Sequence, residues 1–169
     1  MPEARAGRER RRTGQNWAMA TSARDAVPAS VYEQLGGSDF FAALSARFYA
    51  GVAEDPVLRP LYPGDMTDAE TNLRDFLIQY WGGPDDYSRR RGHPMLRARH
   101  LPFSIGRRER DAWMQHMRAA VGASGAPEEL ATELLDYFDR AATHLLNAEP
   151  PRPGHLPIVP PSSELRGDG

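Results

Sequence analysis

Apolar residues recur every three or four positions through most of residues 28–147, the period of helices with one buried face. Phe41, Leu44, Phe48 and Val52 line up behind Ser38 and Asp39, which read as cap residues. Thr67-Asp68-Ala69-Glu70 has the form of a capping box, and the helix it opens carries Ala69, Leu73, Phe76 and Tyr80 in line. Gly82-Gly83-Pro84 ends that helix. A further helix runs from Arg107 to Val121 with Arg110, Trp113, Met117 and Val121 in line and Gly122 as its stop. Pro127-Glu128-Glu129 opens the last one, with acidic residues at the positive end of the helix dipole. Leu130, Leu134, Tyr137 or Phe138, Ala141 and Leu145 supply its buried stripe.

Two stretches break the pattern inside this core. Residues 55–62 read as a short helical or irregular piece, interrupted by Pro56 and Pro60 and followed by Pro63. Residues 84–102 hold Gly, Pro and many arginines with little helical periodicity; connections of that length are usually functional or disordered. No strand-like alternation persists anywhere, so the fold class expected is all-α.

The ends differ from the core. Residues 1–28 form a basic N-terminal tail, expected to be disordered, with a charge of about +4 over residues 1–24. Arg10-Arg11-Arg12 resembles a twin-arginine export signal, but no apolar stretch follows it. Met19 offers an alternative start, and a basic tail can also touch anionic partners. Residues 148–169 contain six prolines, which exclude a helix interior and favour extended chain. The expected organisation is therefore tail 1–28, one domain 29–147 and tail 148–169. The second tail is either a flexible end or a proline-motif ligand.

Composition narrows the chemistry. The 169 residues are about one domain in length, and the formal net charge of −2 argues against a dedicated nucleic-acid binder. All 21 basic residues are arginine. There is no cysteine, which excludes disulfides, thiolate nucleophiles, iron–sulfur clusters and Cys-ligated metals within the chain. A bound metal must use His, Tyr, Met or carboxylate. No apolar run approaches the roughly 20 residues of a membrane span, and a cytoplasmic location is expected.

Five histidines are available. His155 falls in the proline-rich tail, and His116 and His144 sit in helical stretches where a surface or core-edge role is ordinary. His93 and His100 both adjoin prolines in the irregular stretch, and no pair has zinc-site spacing. Spacing alone leaves either one structural or ligating.

Residues 92–103, Gly-His-Pro-Met-Leu-Arg-Ala-Arg-His-Leu-Pro-Phe, closely resemble the proximal-histidine segment of truncated haemoglobins, most of all group II, the O type of bacteria and plants. Arg47-Phe48-Tyr49 is similar to the family's distal tyrosine segment. Residues 58–63 resemble the turn that brings a second aromatic over the haem, residues 76–84 the end of the distal helix, and residues 109–113 the segment with the group's tryptophan. The resemblance spans residues 31–147, with the motifs in family order.

The resemblance implies a globin-like two-over-two helical sandwich holding one haem b per chain through His100. It implies that Tyr49, Tyr62 and Trp113 surround the sixth coordination position. Ala69 and Leu73 then face the bound gas from the distal helix. Phe76, Leu96 and Phe103 wall the haem, and Tyr87 and Arg99 reach its propionates, with Arg97 a weaker choice. Asn72 stands where several relatives carry a basic residue, which removes one expected ion pair. Each of these, taken alone, is an ordinary packing or surface residue; their joint match carries the weight. The run Arg89-Arg90-Arg91 reads as a solvated charge run, and His93 as a bystander at the haem edge.

The function implied is reversible binding of dioxygen and other diatomic gases, for storage, sensing or delivery. Whether the protein is an enzyme stays open. Nitric oxide dioxygenation or peroxide reduction would use the same pocket with a separate reductase, and ferric capture of sulfide is a third use. A homodimer is compatible with the sequence. From another class, a cofactor-free helical interaction module would share the helices and tails.

Overall fold

The computed structural model describes residues 29–148, and the two tails otherwise lie outside the described residues. Within them the chain is all helical: α1 (Val31–Gln34), α2 (Ser38–Glu54), a 3₁₀ turn (Arg59–Leu61), α3 (Thr67–Tyr80), α4 (Asp86–Arg91), α5 (Leu96–His100), α6 (Arg107–Gly122) and α7 (Glu128–His144). Helix α2 packs on both α3 and α6, and α6 packs on α7, so two helix pairs stack. Phe41, Leu44, Phe48 and Val52 of α2 are wholly buried, as are Met114 and Met117 of α6 and Leu134 of α7. Each such side chain contributes roughly 1.5–3 kcal/mol by leaving water.

Four local expectations are corrected. The capping box at Thr67 does not form. Thr67 is the first helical residue, and its N–H is satisfied by Asp65 Oδ1 at 2.9 Å. Ser38 is likewise inside α2. The cap is Gly37, whose φ of 74° suits glycine, and Ser38 Oγ instead meets the Tyr32 hydroxyl at 2.9 Å. Helix α6 runs through Gly122 to a cap at Ala123. The stretch 84–102 contains two short helices, α4 and α5, separated by a turn in which Gly92 has φ 74°. Neither is long enough to display a period. Both are held by tertiary contacts, which is how short helices persist.

Helix α1, too short to show a period, carries its own capping box. Ser30 Oγ accepts from Glu33 N–H at 3.2 Å, and Ser30 N–H donates to the Glu33 carboxylate at 2.9 Å. The expected stripe on α3 faces sideways. Leu77 and Ile78 enter the main core, whereas Ala69, Leu73 and Phe76 line an internal cavity and Tyr80 is half exposed. In α7 it is Phe138 that is fully buried.

One polar hub fixes the corner after α2. Asp55 Oδ1 accepts from the N–H groups of Val57 and Leu58 at 2.7 and 2.8 Å, and Oδ2 meets His116 Nε2 at 2.7 Å. The His116 ring lies against Gly51, where any Cβ would collide with it. The hub therefore ties α6 to the turn that presents Tyr62. Hydrogen bonding to His116 first, and then to the Leu58 and Val57 amides, holds the Asp55 carboxyl below the usual range against the opposing effect of burial. A carboxyl lowered in the folded state stabilises fully above its unfolded value near 3.9, and loses that contribution as pH falls through the folded value. Asp55→Asn is expected to cost stability at neutral pH. In urea unfolding the gap to wild type should narrow below about pH 4; a constant gap across that window would contradict the assignment.

Candidate functional site

A cavity of about 400 Å³ opens between α3, the α4–α5 region, α6 and α7. Every site residue expected from the sequence lines it: Tyr49, Tyr62, Ala69, Asn72, Leu73, Phe76, Tyr87, Leu96, Arg99, His100, Phe103 and Trp113. They come from five helices and two connections, so only the fold brings them together. The volume and apolar lining are those of a small-molecule or cofactor site.

His100 ends α5, and its Nδ1 lies 2.6 Å from the Leu96 carbonyl one turn back. A carbonyl only accepts, so Nδ1 is the donor, and in the neutral ring Nε2 then presents its lone pair. That is the tautomer a metal-ligating imidazole needs, with the orienting partner that such ligands use. Of the other described histidines, His116 is engaged by Asp55. His93 and His144 flank a separate groove.

The helix bearing His100 has only five residues, so its placement depends on what holds the ends. After it, Asn147 uses its whole side chain on the segment 100–105. Nδ2 donates to the carbonyls of His100 and Phe103 at 3.1 and 2.9 Å, and Oδ1 accepts from Ile105 N–H at 2.9 Å. Its own N–H donates to the Ile105 carbonyl at 3.0 Å. Arg97 Nη1 adds a bond to the His144 carbonyl at 2.7 Å, so that side chain serves the α5–α7 junction. Nothing in the sequence singled out Asn147, which sits just past the last periodic residue. Asn147→Asp keeps the shape and the acceptor but removes both donated bonds. It should loosen His100 and reduce retention of whatever that imidazole grips by about tenfold, the lower end for an orienting residue. Unchanged retention in the folded variant would show that the clamp does not bear on His100.

Elsewhere in the lining stands an aromatic cluster. The Tyr49 and Tyr62 rings meet edge to face at 5.6 Å, and Trp113 packs on Phe48 at 5.0 Å. Burial, then the Tyr62 hydroxyl beside it, pushes the Tyr49 hydroxyl far above the ordinary tyrosine range. Tyr62 is also raised by burial, with hydrogen bonding from Tyr49 and Trp113 pulling the other way. Both phenols therefore stay protonated, and three donors, two O–H and one N–H, gather at one place in an apolar chamber.

Polar groups mark another part of the lining. Tyr87 is buried against Phe76, ring centroids 5.6 Å apart. Helix α4, which carries it, is docked by paired bonds between Gln79 and Ser88 at 2.8 and 2.9 Å. The arginine run divides. Arg89 pairs with Asp85 and Asp86, and Arg90 pairs with Asp75, but Arg91 lines the cavity. All three are exposed, as a charge run would be, and Arg91 in addition borders the cavity. Arg99 spends Nε and Nη2 on the Pro94 and Arg91 carbonyls at 2.9 and 2.8 Å. Asn72 Oδ1 is buried without a partner among the described residues. A buried amide left so is a position where a polar guest completes the pairing.

Comparison with known proteins gives the family and the fold. The bacterial-like globin family model matches residues 30–147. The group 2 truncated hemoglobin YjbI of Bacillus subtilis is 40% identical over 116 residues, covering 69% of this chain and 87% of that protein. The thermostable hemoglobin of Thermobifida fusca is 52% identical and superposes with a TM-score of 0.70, covering 70% of this chain and 98% of that one. The truncated oxygen-avid haemoglobin of B. subtilis is 39% identical with a TM-score of 0.67, covering 70% and 100%.

Proposed function

The chain belongs to the bacterial-like globins, within the group II truncated haemoglobins, and from that membership we propose that it binds dioxygen reversibly at a haem gripped by His100 and screened by Tyr49, Tyr62 and Trp113. Family membership implies a haem-based, oxygen-binding globin. The finer assignments rest on the cavity. The single observation that carries them is that one chamber holds both an imidazole with Nδ1 pinned to Leu96 and a separate cluster of three protonated donors.

The residues fit a haem. Leu73, Phe76, Leu96 and Phe103 offer the apolar walls that a macrocycle needs. Tyr87, Arg91 and the free Nη1 of Arg99 suit its carboxylates, by hydrogen bond and by guanidinium pairing. Rotating the Asn72 amide exchanges its buried oxygen for two N–H donors, so it can take the place of the missing basic residue. When bound, haem would supply a ferrous iron able to take up a diatomic gas.

The chain's own residues then set the affinity. Tyr49, Tyr62 and Trp113 donate towards a guest carrying partial negative charge. That favours dioxygen over carbon monoxide and slows its release. Ala69 offers no hydrogen bond from α3, so all distal polarity comes from these three. Storage or delivery is the role that follows; the cytoplasm is the location proposed. The same donors also favour a second reading, in which the protein turns over nitric oxide or peroxide with a separate reductase.

The test is reversibility. Oxygen is titrated into the reduced protein and swept out with argon over several cycles while the absorption spectrum is recorded. Full recovery is expected. One-way oxidation in each cycle contradicts an oxygen-binding role, and rapid turnover on mixing the oxygenated protein with nitric oxide favours the second reading.

A further inference from the structure

We propose that the arginine-rich segment 87–108 is a docking face for an acidic electron-donor protein, an inference that rests on the oxygen-binding reading because only reduced iron takes up oxygen. The segment holds seven arginines, two histidines and no carboxylate. The other described residues, 29–86 and 109–148, hold six arginines against seventeen carboxylates. The charge is thus sharply polarised in a chain whose formal net charge is only −2. The positive pole coincides with the elements that carry His100 and border the cavity.

Local features point the same way. Arg97, Arg107 and Arg108 are exposed and have no carboxylate partner among the described residues. Arg107 and Arg108 open α6, the positive end of its dipole, where cations are disfavoured. Among them stand Met95 and Leu101, 57% and 61% exposed, two of the four large apolar side chains exposed among the described residues. Neither lines the haem cavity, so a bound cofactor would not cover them. Met95 also holds a left-handed φ of 44°, a conformation L side chains rarely adopt. Isolated apolar groups rimmed by unpaired cations fit a transient partner of opposite charge, recognised through steering and a small greasy contact.

The donor's chemistry follows from the need. The chain has no cysteine for an iron–sulfur centre of its own. A reduced flavin or iron–sulfur protein with an acidic face would give up one electron per encounter to ferric iron, with no bond made or broken. That this same segment lines part of the cavity favours a redox protein over a lipid surface.

The test uses the full chain loaded with haem, isotope-labelled for NMR, and an oxidised flavodoxin as an acidic flavoprotein probe. At about 20 mM salt, amide shifts confined to residues 87–108 are expected, fading by about 300 mM as screening sets in. Arg107→Glu with Arg108→Glu should weaken binding by about tenfold or more. These substitutions put carboxylates where the α6 dipole favours them, so folding is preserved. Leu101→Ser should weaken binding without changing its salt dependence. Absent or scattered shifts, or affinity indifferent to the charge reversal, overturn the proposal. So does arginine-dependent sedimentation with phosphatidylserine vesicles in place of flavodoxin binding, or a salt-sensitive dimer of the chain itself. If no haem is taken up, the oxygen reading fails as well. If haem and oxygen bind normally and flavodoxin does not, only the docking face fails.

Discussion

Replacing His100 by glycine should leave the protein almost unable to hold haem. Changing a residue that merely orients a ligand costs roughly 10–100-fold in affinity, and removing the ligand itself should exceed the top of that range. No other described histidine lines the cavity, since His116 lies at the Asp55 hub and His93 and His144 along the separate groove. Helix α5 would survive the change, since His100 is its last residue and glycine is well tolerated at a helix end. Imidazole added to the solution should therefore enter the vacated space and restore loading. Rescue separates a lost ligand from a lost fold. Normal haem content and an unaltered spectrum in the variant would remove His100 from the iron.

The second large effect concerns oxygen release. A hydrogen bond to a charged group contributes roughly 1.5–3 kcal/mol, which corresponds to about a ten- to a hundredfold change in rate when it acts only on the bound state. Tyr49→Phe and Trp113→Phe should each speed release by that order in stopped flow. Tyr49→Phe removes only the hydroxyl, whereas Trp113→Phe also trims the indole packed on Phe48 and Phe138, so its folded stability is measured beside the release rate. Both donors are coupled to Tyr62, so the double variant should fall short of the product of the single effects. Carbon monoxide, with less charge to stabilise, should respond far less. Wild-type oxygen release in both single variants would contradict the distal-donor account.

Much of this was legible in the sequence, for a physical reason. The long helices α2, α3, α6 and α7 each bury a face, and a buried face imposes a period. The twelve candidate site residues were legible through family resemblance rather than through pattern. Tyr49 and Trp113, read as members of a stripe, look like any buried aromatic.

What escaped was set by contacts between distant parts of the chain. Helices α4 and α5 span six and five residues, too few to show a period. Their helicity comes from partners such as Gln79 and Asn147. Thr67 had the pattern of a cap, but the helix starts one residue sooner: the Glu70 N–H that a Thr67 cap would serve donates to the Met66 carbonyl, and Asp65 takes the N–H of Thr67 itself. Asp55 and His116 are 61 positions apart, and neither residue type announces the other. Asn147 is one polar residue after a helix end until the chain folds back and its amide meets three backbone groups. Arg91 differs from Arg89 and Arg90 only in which side of α4 it occupies, and a six-residue helix does not declare its sides.

The most direct measurement is the absorption spectrum of the reduced, haem-reconstituted chain under carbon monoxide, read beside pyridine haemochrome quantification. The account predicts one b-type haem per chain and a sharp Soret band of a histidine–carbon monoxide complex, both lost in His100→Gly and regained with imidazole. A colourless chain, or a pigment indifferent to His100, would contradict it.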